Sequence, residues 1–89
     1  MGMNKTPHLC PCCGYYLFED GPGSFDICPI CFWEDDIVQS NNPTYSGGAN
    51  ALSLNECRSN YREFGASEKR FIELVRKPTI GEIENAKSL

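Results

Sequence analysis

Two short cysteine pairs hold most of the chemistry available to this chain. Cys10-Pro11-Cys12-Cys13 and Cys28-Pro29-Ile30-Cys31 are both C-P-x-C, and fourteen residues separate Cys13 from Cys28. Two residues between cysteines let one tight turn aim both sulfurs at a single ion. The backbone N–H groups of that turn then bond the thiolates and soften their charge. Proline after the first cysteine fixes φ and stiffens the turn. A doubled C-x2-C with this gap has the spacing of a zinc site, so Cys10, Cys13, Cys28 and Cys31 are the expected metal ligands. Zn²⁺ is the expected ion. Iron is the alternative, because a tetrahedral S₄ set suits both metals. Four cysteines leave no open position for water, which is the pattern of a structural site.

Three further residues lie near this set. Cys12 sits between two ligands, and adjacent residues point different ways, so it does not easily join Cys13 on one ion. It reads as a small buried side chain, as a reserve ligand for Cys10 or Cys13, or as a reactive thiol. His8, two residues before Cys10, reads as a surface or outer-layer residue, with ligation in place of one cysteine as the alternative. Cys57 lies far along the chain among apolar residues and reads as core. Gly14 after the first pair supplies the positive φ such a turn needs, whereas Phe32 after the second departs from that preference.

The elements that must position these residues follow from composition. Residues 8–36 form a cysteine-rich segment with five of the six cysteines. Within it, the aromatic "GYYLFE" predicts a strand, "DGPG" a turn and "SFDI" the returning strand, so one hairpin is expected to join the two pairs. Residues 37–52 read as a loop rich in Asn, Ser, Gly and Pro. Residues 53–77 read as a helical pair. Ser53 and Glu56 form a capping box, and Leu54, Cys57, Tyr61 and Phe64 share one helix face. Gly65 ends the first helix. Ser67 caps the second, Phe71, Leu74 and Val75 are its expected buried face, and Pro78 stops it. The tail over 78–89 is short and polar, with Ile80, Ile83 and Ala86 spaced for at most one more turn.

The whole is expected to be one domain over residues 1–89. A core in so short a chain supplies only about 3–5 kcal/mol, so a metal or disulfide staple is needed. The first residues carry no apolar secretory segment, and no stretch approaches the roughly 18 apolar residues of a membrane span. A cytoplasmic location with reduced thiols is therefore expected. "MGMNKT" matches a myristoylation pattern through Gly2 and Thr6, but the pattern is short, and residues 1–7 are taken as a plain, poorly ordered start. The formal net charge is −4, which argues against general nucleic-acid binding and leaves a protein as the expected partner. Arg58, Arg62, Lys69, Arg70, Arg76 and Lys77 are interleaved with glutamates, the pattern of a solvated, ion-paired surface. There is one histidine and no nucleophile–base set, which argues against an enzyme.

Two other stretches deserve a reading. "FWEDD", residues 32–36, is aromatic packing followed by a solvated acidic turn, or an acidic partner-binding edge anchored by Trp33. "YSGGAN" is a loop that wraps back and caps the following helix. Its alternative is an anion nest, with Tyr45, Gly47, Gly48 and Asn50 as candidate ligand residues.

"HLCPCCGYYLF", "ICPICFWEDD", "NPTYSGGANALSLNECRSNYREFGAS" and "RFIELVRKP" together resemble the bacterial cysteine-rich CPCC family over residues 8–78. The resemblance implies a small bacterial protein with a ribbon-like cysteine site, in which Cys12 belongs to the namesake motif. It carries no implication of an activity. The flanking aromatics Tyr15, Tyr16, Phe32 and Trp33 also resemble those of rubredoxin, whose pairs lie further apart. The expected fold is a small metal-stabilised α+β domain: a zinc-ribbon or rubredoxin-like pair of knuckles on a β-hairpin, followed by two short helices.

Overall fold

The computed structural model describes residues 7–88, so the Gly2 and Thr6 pattern lies outside the described residues. Along the chain run β1 (His8–Leu9), β2 (Leu17–Phe18), α1 (Ile37–Asn41), α2 (Leu54–Phe64), a 3-10 helix (Lys69–Leu74) and α3 (Ile80–Ser88). None of these helices is long and apolar enough to cross a membrane.

The strands correct the expected hairpin. β1 pairs with β2, with His8 opposite Phe18 and Leu9 opposite Leu17. The pairing runs on into the first knuckle, where Cys10 N–H donates to Tyr16 O at 2.8 Å. The second knuckle is flanked the same way by an antiparallel bridge between Ile27 and Glu34. Each knuckle is therefore the tip of its own small hairpin. The physical reason is that a C-x2-C turn already reverses the chain, so pairing spreads outward from it. "DGPG" joins the two hairpins instead of closing one, with Gly21 and Gly23 at φ near +80°.

The stretch expected as loop contains α1. Asp36 stands in front of it in an extended conformation, and its carboxylate accepts from Val38 N–H and Gln39 N–H. The pattern Asp36-x-x-Gln39 is a readable helix start that the surrounding Asn, Ser and Gly obscure.

α2 forms as its sequence dictates. Ser53 and Glu56 make the full capping box, and Gly65 closes the helix at φ +85° with its N–H on Tyr61 O. Leu54 and Cys57 are fully buried on its inner face. The second helix of the pair differs from expectation. It is a 3-10 helix preceded by extended Glu68, and Ser67 does not cap it. Ser67 N–H instead donates to Cys31 O at 2.8 Å, and Arg76 N–H donates to Pro29 O at 3.1 Å. Those two bonds fix the ends of the segment, and the chain is already extended at Val75. No α-helical face is completed, so Leu74, expected as buried, is 59% exposed.

α3 replaces the expected polar tail. Thr79 Oγ1 accepts from Glu82 N–H, and Glu82 Oε1 accepts from Thr79 N–H, at 3.1 and 2.8 Å. "TIGE" is thus a capping box, a signal present in the sequence and passed over. The core beneath all these elements is small: Trp33, Phe18, Ile30 and Leu54 packed with five buried cysteines. Each of those four large side chains contributes about 1.5–3 kcal/mol by burial.

Candidate metal centre

The two knuckles are built alike. In the first, Gly14 N–H donates to Cys10 O at 2.8 Å; in the second, Phe32 N–H donates to Cys28 O at 2.7 Å. Gly14 has φ +82° and Phe32 φ +71°, so the position after each pair is left-handed. A side chain there costs roughly 1–2 kcal/mol. The Phe32 ring lies 4.7 Å from the Phe71 ring, and that packing offsets the strain. Backbone donors converge on the sulfurs: Ile30 and Cys31 N–H point at Cys28 Sγ at 3.3 and 3.4 Å. Tyr15 N–H does the same for Cys13.

The turns bring four sulfurs together. Cys10 Sγ lies 3.6 Å from Cys31 Sγ, and Cys13 Sγ lies 3.7 Å from Cys28 Sγ. All four lie within 4.8 Å of one another. Metal–sulfur bonds of ~2.3 Å in a regular tetrahedron give edges of about 3.8 Å, so the donor set fits a tetrahedral ion. Cys10, Cys28 and Cys31 are buried and Cys13 is half-buried. Without a cation the four sulfurs cannot all ionise. The neighbouring sulfurs of Cys10, Cys28 and Cys31 hold the Cys13 thiol well below its usual range. Burial, and then the neighbouring sulfurs, push Cys10 up; the bonds to Cys10, Cys12 and Cys13 push Cys31 up. A divalent ion removes that conflict by replacing shared protons.

The sequence model of the family described as Cysteine-rich CPCC matches residues 8–82. The chain belongs to the cysteine-rich CPCC family. Comparison with curated proteins finds no match.

The second cysteine of the CPCC motif, Cys12, stands outside the set of four. Cys12 is 8% exposed and belongs to the core cluster together with Cys57. Cys12 contributes to the upward shift of the Cys31 thiol, so it lies close to the set without belonging to it. Cys57 is fully buried, and burial followed by the charges of Cys12, Glu68 and Glu56 pushes its thiol up to about 12. It is a protonated thiol at neutral pH. His8 is also outside the set. Its ring stacks on Phe18 at 5.3 Å, and Nε2 faces both carboxylate oxygens of Asp35 at 3.2–3.3 Å.

The acidic turn of "FWEDD" is not solvated, which corrects that reading. Asp35 is 1% exposed and gathers the second hairpin around itself, accepting from Gly23 N–H, Ser24 N–H and Ser24 Oγ–H. Burial pushes the Asp36 carboxyl up, but the N–H groups of Ala49, Gln39 and Val38 outweigh it and hold the group below its usual range. Trp33 is fully buried, so it offers no anchor to a partner.

"YSGGAN" wraps onto these buried groups. Ala49 N–H donates to Asp36 Oδ2 at 2.9 Å, so the loop's anion is the chain's own carboxylate. A Cβ on Gly48 would stand 2.7 Å from that same oxygen, which is why glycine is required there. Asn50 pairs with both backbone groups of Glu34 at 2.8 Å, and Gln39 donates to Tyr45 O, Asn50 O and Leu52 O. Tyr45 is half-exposed and Gly47 takes φ +85°. Buried Gln39 and Asp36, which organise this loop, were missed from sequence because their polar side chains read as surface.

Proposed function

We propose that Cys10, Cys13, Cys28 and Cys31 hold one structural Zn²⁺, and that the chain is a non-enzymatic zinc-ribbon-type domain that acts by binding another protein. The observation that carries this reading is the all-sulfur donor set at tetrahedral spacing. When bound, the ion cross-links the two hairpins and lets all four sulfurs ionise. The chain's own contribution is to aim the sulfurs and to share their charge through N–H groups such as those of Ile30 and Cys31. Four thiolates fill the ion, leaving no site for substrate. The reading fits a bacterial cytoplasm, where thiols persist. Elemental analysis of the native protein, with a thiol count before and after denaturation, tests it. One zinc per chain with Cys12 and Cys57 as the only unliganded thiols is expected. Protein that folds with no metal overturns it.

Iron carrying one electron is the second reading. It is favoured by half-buried Cys13, the one ligand at the solvent edge, beside aromatic Tyr15. A visible thiolate-to-iron absorption in the purified protein selects it over zinc.

A further inference from the structure

Residues 61–83, with Tyr15 from the first knuckle's flank, line an open groove of about 970 Å³, within the size range of ligand sites. Tyr61 and Phe64 of α2, Ile72, Val75 and Ile83 of α3 give it an apolar lining, with Tyr15 beside them. Ile72 is 44% exposed, and the same segments leave Leu74 and Ile80 at 59% and 80%. A small domain gains nothing for its own stability from such exposure.

The rim has one sign of charge. Arg62, Arg76 and Lys77 line it, and no Asp or Glu does. Arg76 is neutralised by a bidentate pair with Glu82, both bonds at 2.8 Å. Arg62 and Lys77 have no ion-pair partner among the described residues. Two cations without an ion-pair partner among the described residues therefore lie beside apolar side chains, in a chain whose formal charge is −4. We infer that this groove takes an extended peptide segment of a partner protein in which carboxylates flank apolar anchors. The carboxylates answer Arg62 and Lys77, and the anchors cover Tyr61 and Ile72. Two free cations are too few for the run of phosphate contacts that a nucleic acid needs. An open groove suits a chain segment better than an enclosed small molecule. The inference rests on reading the chain as an interaction domain, but not on the identity of its metal.

The test uses the full chain and a labelled peptide of alternating glutamate and leucine, about eight residues and roughly 26 Å when extended. A control peptide carries lysine for glutamate. Fluorescence anisotropy should show the acidic peptide binding about tenfold more tightly than the control, and the preference should weaken as salt rises. The double variant Arg62→Glu with Lys77→Glu should reverse the preference. Ile72→Gln should weaken the acidic peptide without altering metal content. Equal binding of both peptides, or an unchanged preference in the double variant, overturns the inference. So does tighter binding of a single-stranded oligonucleotide than of the acidic peptide. Zinc per chain is measured on the same samples. Metal-free protein that folds and binds the peptide keeps the groove and fails the metal reading, whereas zinc-loaded protein blind to the peptide does the reverse.

Discussion

The first knuckle ends on Gly14, with nothing within 4 Å of where a Cβ would stand. The second ends on Phe32, in the same left-handed conformation, with its ring on Phe71. The first is hydrogen-bonded to α2 through a side chain, Arg58, whose Nε–H donates to Pro11 O at 2.8 Å, with Tyr15 packed beside Tyr61. The second is tied by two backbone bonds, from Ser67 to Cys31 O and from Arg76 to Pro29 O. Both cysteines of the second knuckle are buried, while Cys13 of the first is half-buried. One motif thus serves in two ways. The second knuckle is built into the fold, and the first closes onto it.

Removing the metal should break that comparison most severely. A structural zinc supplies folding free energy on the order of 10 kcal/mol in small domains. Chelation should abolish the near-UV circular dichroism of the buried Trp33. At partial chelation, amide exchange should rise first at Gly14 and only later at Phe32, because the second knuckle keeps its two backbone ties. Equal exchange at both positions would remove the distinction.

Arg58→Ala acts on the first knuckle alone. It leaves Pro11 O without its partner and strips the packing of the arginine stem, a loss of about 1–3 kcal/mol. Metal affinity should fall with stability, and exchange at Gly14 should rise while that at Phe32 holds. A uniform rise would mean that the knuckles are equally dependent on the helices.

The left-handed positions sharpen the comparison. Gly14→Ala meets no neighbour, so its cost is backbone strain alone, about 1–2 kcal/mol. Phe32→Gly relieves the same strain but removes the contact with Phe71. The net loss should be about 1 kcal/mol, since burying a side chain of this kind is worth ~1.5–3 kcal/mol and the strain refunds part of it. Denaturant midpoints of the metal-loaded variants measure both.

These differences also mark what the sequence could and could not disclose. The cysteine spacing was legible because two fixed turns need only local geometry. α2 was legible because its capping box and its apolar face agree. The hairpins were misassigned because "GYYLFE" and "SFDI" look like partners across "DGPG", whereas pairing is set by the knuckles themselves. Asp35, Asp36 and Gln39 were illegible because a buried polar side chain is defined by what folds over it, and that comes from residues 23–24 and 45–52. Phe32 looked like a departure from the rule because its compensation, Phe71, lies in another element.

Cys12 tests the boundary between the knuckles and the core. Cys12→Ala and Cys57→Ala should each keep the metal and lose about 1 kcal/mol, the worth of a small buried group. Loss of metal in Cys12→Ala, with retention in Cys10→Ser or Cys13→Ser, would collapse the ligand assignment.

The smallest effect belongs to α3, which reaches the second knuckle only through Arg76. Its start depends on Glu82, which caps Thr79 and chelates Arg76. The Arg76 guanidinium holds the Glu82 carboxyl down to about 2, from an ordinary value of 4.5. A carboxyl lowered by folding stabilises the folded state above its unfolded value, and that contribution is lost as pH falls from 4.5 towards 2. Arg76 is exposed and Glu82 half-buried, so salt screens the pair in part and the effect is confined to the helix. Glu82→Gln at neutral pH removes the charge without acidifying the thiolates. Amide protection over Ile80–Ser88 should fall, with metal content and both knuckles unchanged. As pH falls below 4.5, and while the metal stays bound, the extra α3 protection of the wild type over the variant should shrink. If exchange at Phe32 rises together with α3, then the Arg76 N–H bond to Pro29 O transmits the loss, and the second knuckle depends on the tail after all.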